Sequence, residues 1–541
     1  MEASTVYEAF SQTARRTPDR DFLVIDRVTA GVYGIAPGAI PWGRARDEVD
    51  DLRARYAAAG WGHGHRVGLL LENRPDFFRH WLALNALGVS VVPINAEMRS
   101  AELTYLIGHS EMGLAVALPG RIQDLLDAAR QAGRPLHAIP ADAESIPSPA
   151  AVAPLAGAAV GEGTECALLY TSGTTGRPKG CILDNAYFLR AGRWYAGLTG
   201  VCDYRRDAER VMTPLPLTHM NAMANSAMVV IVAGGALIQL DRFHPKSWLE
   251  SAQECGATII HYLGVMPAML LSAPPTPSER DHAIRWGFGA GVDPKHHAVF
   301  EERFGFPLVE AWAMTETGAA AVIMANREPR HVGTGCFGRI EDYMQLRLVD
   351  DGGDDVADGA PGEMLVRSSG PDPRRYFFRG YLKNPQATDE AWAGGWFHTG
   401  DMVRRDADGG LYFVDRKKNV IRRSGENISA VEVESVLNQH PAVDVCAVTA
   451  VPDAVRGDEV FACVVRSEHA PPGDEALAQD VVRHTLGQLA YYKAPGYVAF
   501  VDALPLTTSQ KVQRGVLKQQ ARDLLERKAC FDTRTMKKRQ P

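Results

Sequence analysis

Residues 170–180 carry the clearest chemical pattern in the sequence. The segment reads Tyr-Thr-Ser-Gly-Thr-Thr-Gly-Arg-Pro-Lys-Gly. Its three glycines let the backbone turn several amide N–H groups toward one point, its four aliphatic hydroxyls add hydrogen-bond donors, and Lys179 adds a positive charge. Residues of these types in this arrangement are suited to binding a polyphosphate.

A surface turn is the simplest alternative for this loop, because the same residue types favour turns. Apolar residues 166–169 lead into the loop and residues 181–183 lead out of it, so the sequence predicts a loop held between two strands. The common nucleoside triphosphate loop is excluded. It needs Gly-Lys-Ser/Thr, whereas Arg177 and Pro178 stand between Gly176 and the lysine here.

The loop resembles, almost letter for letter, the phosphate loop of the adenylate-forming superfamily. This superfamily contains acyl-CoA synthetases, peptide-synthetase adenylation domains and firefly-type luciferases. Further segments match it in the same order over most of the chain, and the sequence is most similar to an acyl-CoA synthetase. The resemblance implies an ATP site made of Thr171, Ser172, Gly173, Thr174, Thr175, Gly176, Lys179, Gly289, Ala290, Gly291, Glu310, Ala311, Trp312, Thr315, Asp401 and Arg416.

Residues 287–291 and 310–318 form the second matching pair. A turn of small residues beside an aromatic side chain makes a slot for a purine, and a nearby carboxylate can bind the Mg²⁺ that bridges phosphates. The family's Tyr-Gly is replaced by Trp312 and an alanine, which preserves stacking but removes the phenol. Trp312 could instead be a core aromatic. Because Thr315 and Glu316 stand at the family spacing, we predict an adenine site at Trp312 and a Mg²⁺ ligand at Glu316.

Two later segments resemble the family's ribose and coenzyme A sites. The residue matching Asp401 accepts hydrogen bonds from both ribose hydroxyls in the family, and the residue matching Arg416 donates to the same sugar. The family hinge lies two residues further on, at Lys418. Ser424 and Gly425 match the loop that lines the pantetheine tunnel, although Gly425 could equally end a strand.

Residues 505–514 resemble the C-terminal lysine motif of the family. There the lysine, here Lys511, touches the carboxylate and the α-phosphate and offsets the charge that builds as one anion attacks another. The alternative is a solvated surface lysine. The family has glycine before this lysine, but this sequence has Gln510, which would cost about 1 kcal/mol or more if the turn needs positive φ.

The acyl pocket is the least defined part of the sequence. Residues 214–221 resemble the family segment whose histidine, here His219, borders the carboxylate site. A purely structural histidine is the alternative. The predicted walls of the substrate pocket are His219, Asn221, Met266 and Phe288.

Hydrophobic periodicity predicts an α/β protein. Helix and strand patterns alternate through the first three hundred or so residues, which is typical of doubly wound, largely parallel sheets. The predicted elements are a helix with Ala45, Val49, Leu52 and Tyr56 on its buried face, then a strand at 67–71, a helix at 75–87 and a strand at 89–93. Residues 135–163 are rich in alanine and proline and predict an excursion before the phosphate loop.

Beyond Gly333 the pattern changes to short strands, which predict a small β-rich unit; helices follow at 431–437 and 476–489. With the resemblance, this gives a large N-terminal adenylation domain, residues 1–417, with two doubly wound sheets and a small β-barrel-like unit. A small, mobile α+β C-terminal domain, residues 418–541, follows.

Composition narrows the function classes. A net charge of −7, with 46% hydrophobic and 23% charged residues, is typical of a soluble globular protein and argues against a general nucleic-acid binder. Eight cysteines without metal-ligand spacing favour reduced thiols and a cytoplasmic location. The apolar run 227–240 is short for a membrane span and is interrupted by Gly234 and Gly235, so we predict a buried element.

The resemblance implies an ATP-dependent carboxylate:CoA ligase that uses ATP, Mg²⁺ and coenzyme A. A carboxylate and ATP would give acyl-AMP and pyrophosphate, and coenzyme A would attack acyl-AMP after the C-terminal domain rotates about Lys418. The implied partners are small molecules, and a homodimer is possible. The alternatives are an enzyme that loads a carrier protein, a luciferase-like oxidation, and a nucleotide-binding scaffold without catalysis, with Gln510 and Trp312 as its signs.

Overall fold

The computed structural model describes most of the chain. The described residues are 2–96, 98, 100–149, 159–171, 178–416, 420–423, 426–453, 456–468, 470–471, 474–489, 491–507 and 511–538. The predicted helix after Gly43 is confirmed as Trp42–Ala58, and its four predicted core residues are all buried. The predicted elements near residues 67–93 are confirmed as the strand Arg66–Leu70, the helix Pro75–Ala86 and the strand Ser90–Pro93.

Two mixed sheets form the large N-terminal part of the molecule. Both are parallel in their centres and antiparallel at an edge. The first sheet contains, in spatial order, Ile323–Met324, Leu308–Trp312, Trp286–Ala290, Ile259–Leu263, Arg210–Thr213, Ala236–Gln239, Asp21–Ile25 and Gly38–Pro41. The second contains Gly380–Tyr381, Lys179–Asp184, Glu165–Thr171, Ser90–Pro93, Arg66–Leu70, Leu114–Ala117 and His137–Pro140.

Helices cover both faces of each sheet, which confirms the doubly wound prediction. One core packs side chains of both sheets against a shared layer of helices, and two further cores lie on the outer faces. The shared layer consists of Val6–Arg16, Trp42–Ala58, Pro75–Ala86, Asn185–Ala196 and Ala227–Ala233. The outer helices are Ser100–Ser110, Ile122–Gln131, Trp248–Glu254, Val265–Ser272 and Pro294–Phe304, and shorter helices span Arg27–Tyr33 and Pro385–Ala391.

The structure tests three further predictions from the sequence. The loop at 170–180 is held between two antiparallel strands, as predicted, with Thr171 opposite Lys179. The apolar run at 227–240 divides at its two glycines into a buried helix and a buried strand. The region 135–163 is not wholly an excursion, because His137–Pro140 pairs in parallel with Leu114–Ala117 and extends the second sheet.

Antiparallel strands dominate the remaining third of the chain. One sheet contains Cys336–Gly338, Leu411–Arg416, Phe397–Arg405, Pro361–Ser368 and Met344–Val349. A further sheet contains Glu426–Ser429, Val420–Arg423, Gly457–Arg466, Tyr497–Phe500 and Phe531–Asp532, with Val443–Asp453 paired to Gly457–Arg466. It has cores of its own with the helices Ala430–Leu437, Asp474–Leu486 and Arg514–Glu526.

The eight cysteines are all free thiols, and all except Cys530 are buried. Burial raises the pKa of the Cys463 thiol to about 12, and burial likewise raises the pKa of Cys336. Within the described ranges, none of the helices combines the length and the apolar character that crossing a membrane requires.

Candidate active site

The carboxyl ends of four neighbouring parallel strands meet at one edge of the first sheet. In open α/β sheets, ligands bind in the crevice outside this edge. The strands are Arg210–Thr213, Ile259–Leu263, Trp286–Ala290 and Leu308–Trp312. The segments that follow them hold His219, Gly291, Thr315 and Glu316. Residues predicted from separate stretches of sequence are therefore brought to one edge.

Glu310 ties this edge together. Its carboxylate accepts hydrogen bonds from the Tyr262 hydroxyl at 2.8 Å and from the backbone N–H groups of Gly291 at 2.8 Å and Val292 at 3.2 Å. Burial raises its pKa, although these donors oppose the shift. Gly289 lies against the same tyrosine, and a Cβ there would stand 2.4 Å from the Tyr262 carbonyl oxygen. Glu310 therefore fixes the backbone that follows Ala290, at Gly291 and Val292.

Trp312 joins the predicted adenine slot to the predicted ribose site. It is the last residue of its strand, is 7% exposed, and its indole N–H donates to Oδ2 of Asp401 at 2.8 Å. Asp401 lies directly opposite Arg416 in neighbouring antiparallel strands. The predicted ribose carboxylate and arginine are thus adjacent in register, and the orientation of the indole ring is fixed by a hydrogen bond. Ala311 precedes this residue and pairs with Met324.

Lys179 and Glu316 are linked through a tyrosine that the sequence did not indicate. The Lys179 ammonium lies 4.6 Å from the centre of the Tyr381 ring, and the Tyr381 hydroxyl donates to Oε1 of Glu316 at 2.9 Å. Burial and the charge of Glu316 raise the pKa of Tyr381, so the phenol keeps its proton. Thr315 is fixed nearby, because its carbonyl oxygen accepts from the Tyr187 hydroxyl at 2.9 Å.

His219 and Lys511 lie close enough to interact. The surrounding protein lowers the pKa of His219, chiefly by desolvation, and the positive charge of Lys511 adds to the shift. The histidine is therefore neutral at neutral pH. The Lys511 backbone N–H donates to the Thr507 hydroxyl at 3.1 Å, and the Lys511 carbonyl oxygen accepts from the Thr507 N–H at 2.8 Å. The C-terminal lysine is thus held by a turn near the carboxyl edge of the first sheet.

Two of the predicted acyl-pocket residues, Asn221 and Phe288, contact the buried His261, whereas Met266 packs in a different core. Asn221 is half-buried and hydrogen-bonds to His261, whereas Phe288 and Met266 are only 2% and 3% exposed. Residues 221–226 form a π-helical turn, a rare geometry that is frequent at functional sites. The His261 ring packs against the Phe288 ring, with centroids 5.2 Å apart.

Several predicted site residues lie outside the described ranges. They are Ser172, Gly173, Thr174, Thr175 and Gly176 of the phosphate loop, the predicted hinge Lys418, Ser424 and Gly425 of the predicted coenzyme A loop, and Gln510 before the predicted catalytic lysine.

Tyr381, His261 and Tyr195 are site neighbours that sequence reasoning missed. Tyr381 belongs to a strand of two residues, too short to show periodicity, and His261 lies inside an apolar strand pattern. A polar residue within an apolar stretch was the available signal for His261. Nothing local distinguished Tyr381.

Comparison with known proteins identifies the family of this chain. Residues 10–382 match the model of the AMP-binding enzyme family, and residues 432–511 match the model of the AMP-binding enzyme C-terminal domain. The sulfoacetate–CoA ligase of Cupriavidus necator is 33% identical over 485 residues, which cover 88% of this chain and 91% of that protein. The crotonobetaine/carnitine–CoA ligase of Salmonella typhi is 28% identical over 486 residues, covering 87% and 92%.

Solved structures share the fold. The crystal structure of ATP-bound MatB from Rhodopseudomonas palustris has a TM-score of 0.80 at 24% identity and covers 97% of this chain and 100% of its own. The o-succinylbenzoate CoA synthetase of Bacillus subtilis, in complex with its acyl-adenylate, has a TM-score of 0.79 at 23% identity, covering 96% and 99%. The resemblance and the fold class predicted from the sequence are confirmed. The chain belongs to the AMP-binding enzyme family, and within it is an acid–thiol ligase of the AMP-forming acyl-CoA synthetase type.

Proposed function

We propose that this ligase joins a carboxylic acid to coenzyme A in two steps, through an acyl-AMP intermediate. The observation that carries the proposal is the proximity of Lys511 to His219, because it brings a mobile-domain lysine to the edge where the carboxylate would bind. A cation there would offset the charge that builds as the carboxylate attacks the α-phosphate. His219, neutral and beside that cation, would border the carboxylate without repelling Lys511.

We assign the nucleotide to the crevice outside the first sheet. The adenine would lie between the Gly289–Gly291 turn and Trp312, and Asp401 with Arg416 would hold the ribose. The phosphate loop, with Lys179 at its end, would hold the β and γ phosphates. Glu316 supplies one buried carboxylate beside Lys179, a donor that suits a Mg²⁺ ion shared with phosphates. When bound, Mg²⁺ would neutralise phosphate charge.

We propose that the second step needs a rotation of the C-terminal domain. The boundary would lie at residue 418, with residues 1–417 as the adenylation domain and Lys418 as the hinge. Separate hydrophobic cores on the two sides of this position support the division. Rotation would withdraw Lys511 and bring Ser424 and Gly425 to the coenzyme A path. Eight free thiols are consistent with a reaction in the cytoplasm.

The half-reactions can be tested separately with Lys511→Ala. We expect the loss of acyl-AMP formation by about two to three orders of magnitude, because a charge aimed at the transition state is removed. Thioester formation from supplied acyl-AMP and coenzyme A should remain. Pyrophosphate release and thioester yield are the two measurements. Lys518→Ala, an exposed lysine on the next helix, is the matched control.

The same assay decides between the alternatives. Equal loss of both half-reactions in Lys511→Ala would contradict the proposed division of labour. Pyrophosphate release without thioester, with or without coenzyme A, would favour loading of a carrier protein. No release with any acid would favour a nucleotide-binding scaffold.

A further inference from the structure

One face of the strands Ile259–Leu263 and Trp286–Ala290 borders the proposed carboxylate site. Paired residues of adjacent parallel strands, and residues two apart in one strand, point to the same face. Two register pairs share this face: His261 with Phe288, and Leu263 with Ala290. The inner pair is buried, with 0% and 2% exposure, whereas the outer pair is exposed. Protein atoms therefore cover the inner pair, and this face is accessible only at its carboxyl edge.

Aromatic rings fill the space behind this carboxyl edge. The Phe288 ring centre lies 5.5 Å from that of Tyr195 and 6.3 Å from that of Trp194. Tyr195 also stacks on the Trp286 ring at 5.8 Å. These side chains belong to the buried core between the two sheets. A short acyl chain can lie against the edge, whereas a long one that continued along this face would have to displace packed rings.

A hydrogen-bond network beside this edge fixes the proton positions of His261. Its Nδ1 lies 2.8 Å from Asn221 Oδ1 and 2.8 Å from Ser226 Oγ, and its Nε2 lies 2.8 Å from the Tyr195 hydroxyl. The Ser226 hydroxyl donates to the backbone carbonyl oxygen of Asn221 at 3.3 Å. Nδ1 must therefore carry the proton and donate to both oxygens, and Nε2 accepts from Tyr195. Burial lowers the pKa of His261 to about 3, so the ring holds this single proton.

The Asn221 amide faces His261 with its oxygen. Its Nδ2 therefore bears two N–H donors on the opposite side of the amide. Those donors have no acceptor among the residues that the structure describes, and the side chain is half-buried rather than sealed. Two oriented donors thus remain at the carboxyl edge, two residues after His219.

We propose that Asn221 selects short carboxylic acids that carry a second hydrogen-bond acceptor at their far end, and that His261 positions the amide that does so. The acceptor can be an ether or carbonyl oxygen, or the oxygen of a second anionic group. An apolar tail would cover two donors without replacing their bonds to water, and each such loss costs roughly a factor of 5 to 150 in affinity. This inference rests on the proposed ligase function.

Matched acids test the selection. Methoxyacetate and butyrate differ only by oxygen in place of a methylene group, as do 3-methoxypropionate and pentanoate. The wild-type enzyme should use the better ether at least tenfold more efficiently than its alkyl partner, measured as kcat/KM for pyrophosphate release. Malonate and succinate form a second arm, and their efficiency relative to the ethers shows whether the acceptor is neutral or anionic.

Variants assign the selection to these residues. Asn221→Leu should reduce the oxygen-to-alkyl ratio to near one. Asn221→Asp keeps the acceptor for His261 but replaces both donors by an acceptor, and should bring the ratio below one. His261→Gln, which can still donate to Asn221, should retain more of the ratio than His261→Leu. A substitution that only impaired folding would lower the rate for both acids of a pair and leave the oxygen-to-alkyl ratio of kcat/KM unchanged.

Each result has a definite reading. Equal or better use of pentanoate by the wild-type enzyme would overturn the inference and leave the ligase function standing. So would an unchanged ratio in both Asn221 variants. The absence of acyl-AMP from every acid would overturn the proposed function together with the inference.

Discussion

At the scale of single residues, Tyr381 is the link that the sequence did not reveal. Its ring contacts the Lys179 ammonium at 4.6 Å, and its hydroxyl donates to Glu316 at 2.9 Å. The Tyr381 side chain therefore sets the spacing between Lys179, the cation proposed to bind phosphate, and Glu316, the carboxylate proposed to bind Mg²⁺. Because its pKa is raised, it can hold this role at any pH near neutrality.

Tyr381→Phe separates the two contacts of this residue. The ring remains under Lys179, but Glu316 loses a hydrogen bond to a charged group, which is worth about 1.5–3 kcal/mol, or roughly a factor of 10 to 150. We expect the Mg²⁺ concentration for half-maximal pyrophosphate release to change by about tenfold, with a smaller change in the KM for the acid. Tyr381→Leu should also weaken ATP binding. An unchanged Mg²⁺ dependence in Tyr381→Phe would contradict a role for the hydroxyl.

The candidate site residues that the sequence could name belong to ordered motifs. The positions of Lys179, Glu316, Asp401 and Lys511 could be named because each stands at a fixed place in a chemically interpretable segment. Tyr381 could not be found this way. It reaches Glu316 only because a two-residue strand pairs with Lys179–Asp184, and such pairing leaves no periodic pattern in the sequence.

At the scale of elements, the carboxyl edge of the first sheet depends on a buried carboxylate. Glu310 joins its own strand to Tyr262 on a second strand and to the backbone after a third. The alternation of strands and helices predicted largely parallel sheets, in which the carboxyl ends of strands share an edge. It could not predict which side chain joins them. The sequence named Glu310 only as one position of a segment that resembles the family.

Glu310→Gln should loosen this edge. The amide keeps one acceptor but turns an N–H group toward donors, and a mismatched buried group costs about 1–3 kcal/mol. We expect a lower thermal midpoint and a several-fold higher Kd for AMP, because Gly291 and Val292 lose a defined acceptor. Glu302→Gln, on an exposed face of the neighbouring helix, is the control. Wild-type AMP affinity in Glu310→Gln would show that the turn holds its shape without the carboxylate.

At the scale of the whole molecule, the sheet after residue 418 has hydrophobic cores of its own, separate from those of the sheets before it. This C-terminal sheet also contains a buried charge cluster. Glu459, fully buried, accepts hydrogen bonds from Arg423 at 2.9 Å and also from Lys537. These contacts join residues 36 and 78 positions apart, which no local pattern could predict. The Lys537 side chain is buried, although it lies in a basic stretch near the C-terminus.

The cluster gives the stability of this C-terminal sheet a distinctive pH dependence. Burial lowers the pKa of Lys537 to about 8, against about 10.4 in an unfolded chain, although the charge of Glu459 opposes the shift. Below pH 8 both states bind the proton, and the full cost of burying the cation is present. Between about pH 8 and pH 10.4 the unfolded state binds more protons, so stability should rise with pH relative to Lys537→Met. Titration of the cysteines is common to both proteins and cancels.

Measurement must distinguish this sheet from the rest of the molecule. All nine tryptophans precede residue 418, so their fluorescence reports only the N-terminal part. Amide exchange in Gly457–Arg466, corrected for the intrinsic rate, should therefore show the pH-dependent gain while the tryptophan signal shows none. Glu459→Gln should cost about 3–5 kcal/mol at neutral pH, because it leaves two buried cations uncompensated. Adding Lys537→Met to that variant should restore part of the lost unfolding free energy. If the effect of the double variant equals the sum of the two single effects, the cluster does not act as a unit.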